Sequence, residues 1–304
     1  MDIAVFGATG FVGGYLVDAL VGAGYRPSVL VRDGSKSRLQ RAAQCRVTGG
    51  DLDDAAAVRK VVEGCGGVIY NVGLLREAPG SGATFEAAHY GGVVAVAAAA
   101  KAAGIERFLL MSANGVRSDG TAYQQTKWRA EQHLAGQGFA VTIFRPSVIF
   151  GDPRGAMEIA TQLCRDLVKP PLPAVALHTG LAGAVLMSPA HVQDVADAFV
   201  DALAEPQTIG KTFVLGGPET LSWEEMLRRV AAAAGRRKWI VPMPIGVMKI
   251  AATLFDRLPF FPVTRDQLTM LAEGNTAPPA ELRALIGREP RSFAAENLRY
   301  LSAS

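Results

Sequence analysis

A tyrosine and a lysine stand four residues apart in the segment Tyr123-Gln124-Gln125-Thr126-Lys127. On a helix, positions i and i+4 share one face, so the phenol and the ammonium would meet. An ammonium close to a phenol favours the tyrosinate and lowers the tyrosine pKa, which makes Tyr123 a general acid or base near neutral pH. Ser112, at the end of the preceding predicted strand, could polarise a carbonyl oxygen. A surface pair without function is the alternative, so the surrounding elements must decide.

Three glycines near the start of the chain have the spacing of a phosphate-binding turn. Gly7, Gly10 and Gly13 fall between a short apolar run, Ile3 to Phe6, and a segment with helical spacing. The first glycine permits a tight turn, the second lets the backbone approach a pyrophosphate, and the third lets helix and strand pack closely. The helix N-terminus then offers free N–H groups to the phosphates. The remaining residues of this predicted cofactor cradle are Thr9, Phe11 and Val12.

The end of the second predicted strand bears on which dinucleotide is bound. An acidic residue at this place binds the ribose 2′-hydroxyl of NAD, whereas an arginine accommodates the 2′-phosphate of NADP. Arg32 holds the place here, with Ser35 and Lys36 just beyond. This favours NADP(H). NAD(H) stays open, because Asp33 is the acidic residue if the strand ends one residue later, and a solvated basic loop is a third interpretation.

Two further loops follow predicted strands at the edge of the sheet where such folds bind ligands. Gly50-Asp51-Leu52 is placed to meet the adenine. Asn71-Val72-Gly73 is placed beside the ribose and the pyrophosphate, and Lys127 could hold the cofactor ribose as well. Taken alone, either loop is equally well explained as a plain turn.

Strands and helices alternate at short spacing through the first half of the chain. This pattern predicts an α/β fold, with a doubly wound parallel Rossmann-type sheet and a smaller mixed, mainly helical C-terminal lobe. We expect an NAD(P)-binding core over residues 1–150. Residues 151–304 should supply the remaining sheet elements and a lobe for substrate or partner, with interleaved segments. Predicted helices include Ser37 to Ala43, Phe85 to Ala103 and Thr121 to Ala135.

Composition excludes several classes of protein. A formal net charge of +3 and 7% aromatic residues argue against a nucleic-acid-binding protein. The three cysteines and four histidines show no metal-ligand spacing, so no metal site is expected, and scattered cysteines fit a reducing compartment. The first strand starts at residue 2 or 3 and no long uncharged apolar stretch occurs, so we expect a cytoplasmic protein, at most peripheral to a membrane, without signal or transit peptide.

The motifs together resemble the short-chain dehydrogenase/reductase superfamily, in its extended and atypical branch of epimerase/dehydratase-like proteins. The resemblance rests on the glycine segment, Asp51-Leu52, the Tyr123 and Lys127 pair, and the run Arg145-Pro146-Ser147-Val148-Ile149-Phe150-Gly151. It implies that the loop with Pro146 and Val148 lies beside the nicotinamide. It also implies proton transfer by Tyr123, with Ser112 binding the substrate oxygen.

More narrowly, the chain resembles the subgroup that includes the Rossmann-type accessory subunit of respiratory complex I and its bacterial relatives. The residues that carry this are Gly216-Gly217-Pro218-Glu219, Val241-Pro242-Met243-Pro244 and Thr264-Arg265-Asp266-Gln267-Leu268. Two departures from the superfamily pattern stand out. Ser112-Ala113 replaces a pair of small hydroxyl residues, and His89-Tyr90-Gly91 lies where an asparagine is common. A broken proton relay would suit a protein that binds NADPH without turning it over.

Two functions therefore remain open from the sequence. One is an NADP-dependent oxidoreductase or epimerase that acts on the carbonyl or hydroxyl group of an unknown small molecule. The other is a non-catalytic accessory or assembly protein whose C-terminal lobe docks a hydrophobic protein partner or a membrane surface. Ile245, Met248, Lys249 and Ala252 fall at helical spacing there, and the core of the lobe itself is the favoured explanation of this stripe. Arg236-Arg237-Lys238 is interpreted as complementing the dipole of the preceding helix, in preference to a lipid or nucleic-acid contact.

Overall fold

The computed structural model describes residues 1–78, 80, 82–179, 183–248 and 265–302. Seven strands form its central sheet: β1 (Asp2–Phe6), β2 (Arg26–Val31), β3 (Arg46–Gly49), β4 (Cys65–Tyr70), β5 (Arg107–Met111), β6 (Ala140–Pro146) and β11 (Lys211–Leu215). Every pairing between them is parallel, in the order β11-β6-β5-β4-β1-β2-β3. The order reverses direction at β1 and β4, which is the switch point where doubly wound sheets bind ligands. The predicted fold class is confirmed.

Helices cover both faces of this sheet, which is why its strands are continuous apolar runs. One face carries α1 (Phe11–Gly22), α6 (Val192–Ala204) and α9 (Ala280–Ile286). The other carries α2 (Ala55–Val62), α3 (Gly92–Ala102) and α4 (Ala122–Ala135). Small side chains of α3, such as Ala97 and Ala100, are buried against the sheet, as its alanine-rich sequence predicts.

The C-terminal lobe is built on three two-stranded sheets with helices around them. β7 (Ile149–Phe150) pairs with β10 (Ala190–His191), β9 (Leu186–Met187) with β12 (Leu221–Ser222), and β8 (Ala174–His178) with β13 (Ile240–Pro244). The helices are α5 (Ile159–Leu163), α7 (Trp223–Ala233) and α8 (Arg265–Glu273). A separate apolar core holds them, centred on Phe150, Met226 and Phe293. None of the helices in the described part of the chain has the length and hydropathy of a transmembrane span.

Two predicted helices take a different form. Ser37 to Ala43 is no α-helix. It falls in two short 3-10 turns, Asp33–Arg38 and Ala42–Gln44, because Arg41 adopts φ +48° and interrupts the helix. The Arg41 guanidinium is held there by Asp18 of α1, with Nε 2.7 Å from Oδ1. The long helix from Phe85 begins with a π-helical turn, Glu86–Gly91, before α3 continues it.

The second half of the chain completes the sheet of the first. β11 pairs along the whole length of its own strand with β6, from Lys211 opposite Thr142 to Leu215 opposite Pro146. Helix α6 packs against α1 in the same apolar core. Segments after residue 150 are therefore shared between the sheet and the lobe, and the predicted boundary at this residue stays a prediction.

A buried carboxylate joins α6 to the C-terminal segment. Asp194 is fully buried and accepts hydrogen bonds from the backbone N–H of Arg291 at 2.6 Å and from the side chain of Arg291. Arg288 Nη1 lies 2.7 Å from the same carboxylate. Charge-assisted bonds of this kind stabilise the folded state because removing one partner leaves the others poorly satisfied.

We expect Asp194→Ala to lower the free energy of unfolding by about 2–4 kcal/mol, because Arg288 and Arg291 lose a buried partner. Urea denaturation followed by circular dichroism measures this. The control is Asp197→Ala, whose partly exposed carboxylate lies 2.6 Å from Arg288 and should contribute less than about 1 kcal/mol. Equal losses in the two variants would contradict the structural role given to Asp194.

Candidate functional site

Two of the three glycines of the first turn are required by close backbone approaches. Gly7 has φ +91°, and a Cβ there would lie 2.7 Å from the Asn71 carbonyl oxygen. A Cβ at Gly13 would lie 2.0 Å from the Gly7 carbonyl oxygen. The first and third glycines thus do what the spacing indicates: they permit the turn and bring α1 against the end of β1.

The N-terminus of α1 is left open to an anion. Gly10 is its N-cap, and no side chain in the described part of the chain caps the first turn. In contrast, Asp54, Thr121 and Ser222 cap α2, α4 and α7 with side-chain oxygens. The N–H groups of the first α1 turn therefore remain available, together with the positive end of the helix dipole, to the pyrophosphate of a dinucleotide. The chemistry of this donor set fits the expected cofactor.

Basic side chains collect at the end of β2, next to this cradle. Arg32 is mostly exposed, and its Nη1 lies 3.9 Å from Asp51 Oδ2. Ser35 is buried and its hydroxyl accepts a hydrogen bond from Arg38 Nη2 at 2.8 Å. Lys36 Nζ lies 2.7 Å from Asp33, so Asp33 is occupied by a neighbour in its own turn. The exposed Arg32 guanidinium near the fixed Ser35 hydroxyl is an arrangement that can bind a phosphate group through charge-assisted hydrogen bonds.

The other predicted cofactor residues lie at the same edge of the sheet, because each follows the carboxyl end of a parallel strand. Asn71 follows β4, and its N–H donates to the Phe6 carbonyl of β1 at 2.9 Å. Gly73 lies close to Lys127, since a Cβ there would be 3.8 Å from Lys127 Nζ. The remaining positions are those of Leu52 and Val72, which pack on the core below, Pro146 at the end of β6, and Val148 just beyond.

Tyr123 and Lys127 share one face of α4, as predicted, with Lys127 buried and Tyr123 half-buried. Thr121 caps this helix, and its hydroxyl and the side chain of Gln124 form a reciprocal capping box. Lys127 is 6% exposed, and its Nζ donates to the Met111 carbonyl at the end of β5 at 3.1 Å. The same Nζ lies 5.6 Å from the centroid of the Tyr123 ring. The two groups are therefore brought together beside the cradle.

Burial dominates the titration of both groups. The pKa of Lys127 is lowered to about 8, because desolvation disfavours the ammonium more than Glu131 favours it. The pKa of Tyr123 is raised above its ordinary value by burial. This differs from the lowered tyrosine pKa expected from the sequence, because spacing along a helix says nothing about desolvation.

Ser112 has a partner that the sequence did not indicate. Its buried hydroxyl donates to Glu131 Oε1, one helical turn beyond Lys127. Glu131 is also buried and is paired with Arg145 of β6, whose Nε donates to Oε1 at 2.9 Å. The Ser112 hydroxyl therefore uses its proton in the hydrogen bond to Glu131, while the lone pairs of Ser112 Oγ can still accept hydrogen bonds.

His89 is a site residue that the sequence analysis noted only as a departure from a family pattern. It is 2% exposed, and its Nε2 accepts from the Leu74 N–H at 3.0 Å. Nδ1 must then carry the proton, which it donates to the Thr126 hydroxyl at 3.1 Å. Its ring stacks on Phe85 at 5.3 Å and meets the Tyr123 ring edge-on at 5.0 Å. Burial and the nearby Lys127 charge lower the pKa of His89 far below its usual value, so the imidazole is neutral.

The π-helical turn at Glu86–Gly91 explains why spacing could not reveal this contact. A π turn shifts the face that later side chains occupy, and such turns are frequent at functional sites. The Tyr70 hydroxyl donates to the Ala88 carbonyl inside this turn at 2.6 Å. A Cβ at Gly92 would lie 2.1 Å from the same hydroxyl, so this close approach requires a glycine. Gly92 is therefore the residue in the sequence that could have pointed to the unusual turn before it.

Comparison with known proteins agrees with this geometry. A ceramide reductase from Caulobacter vibrioides is 29% identical over 266 residues, which cover 84% of this chain and 77% of that protein. The mitochondrial NADH dehydrogenase [ubiquinone] 1 alpha subcomplex subunit 9 of Mus musculus is 28% identical over 282 residues, covering 90% and 72%. These relatives confirm the resemblance to reductases of this superfamily and to the complex I subunit.

A solved structure shows the same fold at lower identity. The UDP-glucose 4-epimerase of Thermus thermophilus, crystallised with NAD, is similar with a TM-score of 0.73 and 19% identity, covering all of this chain and 98% of that one. A family model described as NAD(P)H-binding matches residues 7–166, more than half of the chain. The protein therefore belongs to the NAD(P)H-binding family and binds a nicotinamide dinucleotide.

Proposed function

We propose that this protein is an NADP(H)-dependent oxidoreductase that acts on a carbonyl or hydroxyl group of a small molecule. The observation that carries the proposal is the position of the buried Lys127 ammonium over the half-buried Tyr123 ring, 5.6 Å from the ring centroid, at the carboxyl edge of the sheet. Burying a lysine charge is unfavourable unless the charge is paired, and neighbouring titratable groups with perturbed pKa values are typical of catalytic sites. The ceramide reductase relative supports a reductive reaction.

The chain's own residues would divide the work as follows. When bound, the nicotinamide supplies or accepts the hydride. Tyr123 gives its proton to the carbonyl oxygen during reduction and takes it back during oxidation. Lys127 keeps a positive charge beside the phenol and stabilises the phenolate left behind. His89, held neutral, fixes the Tyr123 ring from the side and adds no second charge to the site. An epimerase would use the same groups in both directions in turn.

NADP(H) is the preferred cofactor in this proposal. Arg32 is exposed beside the buried Ser35 hydroxyl, and the only acidic group of that turn, Asp33, already faces Lys36. A dianionic 2′-phosphate would gain charge-assisted hydrogen bonds from this arrangement, whereas a ribose hydroxyl would gain little.

A second candidate is a non-catalytic accessory or assembly protein that holds NADPH as a structural ligand. Two observations favour it. The Ser112 proton is donated to Glu131, and the next residue, Ala113, has no hydroxyl to replace it. The mouse relative is named as a subunit of a larger NADH dehydrogenase. Consumption of NADPH separates the two candidates.

For Tyr123→Phe we expect turnover to fall by about 10²–10⁴-fold, because the proton donor is lost, with NADPH affinity unchanged within about twofold. The measurement is stopped-flow NADPH absorbance against a panel of carbonyl compounds and quinones that the natural sequence reduces. Tyr90→Phe, which alters a ring packed on Arg129 outside the site, is the control and should keep full activity.

The opposite result identifies the accessory protein. If NADPH binds and no member of the panel oxidises it, with the natural residue or with phenylalanine at position 123, the oxidoreductase proposal fails.

Arg32→Ala should weaken NADPH binding by about 10–100-fold, because charge-assisted hydrogen bonds contribute about 1.5–3 kcal/mol. NADH affinity should change by less than about twofold, since no phosphate is present at its 2′ position. Titration calorimetry measures both. Arg59→Ala on the exposed side of α2 is the matched control. A parallel loss of NADPH and NADH affinity would contradict the preference for NADP(H).

Lys127→Met should raise the free energy of unfolding at pH 7 by about 2 kcal/mol while abolishing activity. A pKa of about 8 in the folded protein, against 10.5 ordinarily, means that folding must bury a charge below pH 8. This penalty disappears as pH rises from about 8 to 10.5, so the gain of the variant should disappear over the same interval.

Urea denaturation at a series of pH values tests this expectation, with the exposed Lys60→Met as control. If the methionine variant were the less stable protein at pH 7, Lys127 would be a structural residue and its burial would say nothing about function.

A further inference from the structure

Large apolar side chains are exposed at one corner of the C-terminal lobe. Trp239 is 84% exposed, Leu172 is 71% exposed and Val241 is 46% exposed. The apolar stripe expected from the sequence is a different set: Ile245 is buried and Met248 packs on the lobe's core, while Lys249 and Ala252 lie outside the described residues. The core interpretation of that stripe therefore holds for its described members, and the exposed apolar surface lies elsewhere.

The exposed side chains start from adjacent strand ends. Trp239 directly precedes β13, and its carbonyl accepts a hydrogen bond from the Ala174 N–H of β8 at 2.8 Å. Leu172 lies two residues before β8, and Val241 is the second residue of β13, paired with Val175. We call Leu172, Trp239 and Val241 the Trp239 surface.

Four cations lie in the two chain segments that lead into this surface, residues 169–172 and 236–239. Arg236 and Lys238 donate hydrogen bonds to the carbonyls of Lys169 and Pro170, so both chain segments are joined there. Arg237 is exposed and forms no ion pair among the described residues. Lys169 adds the fourth charge.

These basic residues have little to do with the dipole of α7. The helix ends at Ala233, and its last turn contains no basic residue. Asp166, the acidic residue nearest to Lys169 in the sequence, is already paired with Arg165 at 2.6 Å. The interpretation of Arg236-Arg237-Lys238 as a dipole complement is therefore not supported, and the exposed Arg237 presents its positive charge to solvent two residues before the exposed Trp239.

We propose that the Trp239 surface docks on an anionic phospholipid bilayer. Tryptophan is favoured at the boundary between lipid headgroups and acyl chains, because its ring is apolar and its N–H is polar. Clustered lysine and arginine residues are attracted to anionic headgroups over a Debye length. A surface of this size lies on the bilayer and crosses no part of it. The inference does not depend on the reaction proposed above.

The direct test is co-sedimentation of the full chain with vesicles. We expect binding to vesicles of phosphatidylcholine mixed with phosphatidylglycerol, weak binding to phosphatidylcholine alone, and release by salt. Of the three tryptophans, Trp223 is 8% exposed and Trp128 is half-buried on α4, away from this surface in the sequence, so a blue shift of emission on binding should come mainly from Trp239. Trp239→Phe should abolish that shift and keep most of the binding.

Two variants separate the contributions. Trp239→Ser with Leu172→Ser should remove the apolar contact, and Arg237→Glu should lower partitioning into anionic vesicles by more than about fivefold, the effect of one cation near the surface. The matched controls are Ile209→Ser, whose side chain is 43% exposed at the amino end of the main sheet, and Arg59→Glu on α2.

Three results would overturn the proposal: no binding of the natural sequence to anionic vesicles, equal binding to neutral ones, or equal effects of the surface and control variants. A dimer of the natural sequence that Trp239→Ser with Leu172→Ser dissociates, without vesicle binding, would show instead that the surface joins two copies of the chain. NADPH affinity, which the proposal leaves unchanged in every variant, verifies folding.

Discussion

A lysine ammonium buried under the carboxyl end of the sheet is the constraint around which the site is arranged. Lys127 is almost fully shielded from water, so its charge must be balanced by what the fold supplies: the Met111 carbonyl and, one turn further along α4, Glu131. Glu131 is in turn balanced by Arg145 of β6. Three charges of alternating sign therefore fix the register of α4 on β5 and β6, because a shift of the helix would leave one of the three charges without its partner.

The parts of this arrangement that sequence could predict are those set by local geometry. Glycine spacing after a strand predicts the turn because a Cβ at Gly7 or Gly13 would strike backbone atoms whatever the rest of the chain does. The spacing of Tyr123 and Lys127 predicts a shared face because α4 is regular. The alternation of strands and helices predicts a sheet with helices on both faces, because each element has an apolar side that must be buried.

Features that depend on long-range contacts could not be predicted. His89 lies within a π-helical turn and meets the Tyr123 ring edge-on, and the spacing of the neighbouring residues does not indicate that turn. The hydrogen bond from Ser112 to Glu131 joins the end of β5 to a residue of α4 that lies 19 positions later in the sequence. Similarly, helical spacing cannot tell whether an apolar stripe faces the lobe's own core or solvent, so Ile245 and Trp239 could be separated only by the structure.

The position of β11 at the edge of the sheet has a consequence for how the chain must be made. β11 ends at Leu215, yet its partner β6 ends at Pro146, so the last strand leaves the ribosome long after the strand that it covers. In the interval β6 is an open edge with unpaired backbone groups. Phe144, which is buried in the complete fold, is exposed at that stage. A nascent or truncated chain that stops near residue 150 thus presents a template for intermolecular strand pairing. The β6 edge is covered only after β11 has been translated, so completion of the sheet is a late and non-local step of folding.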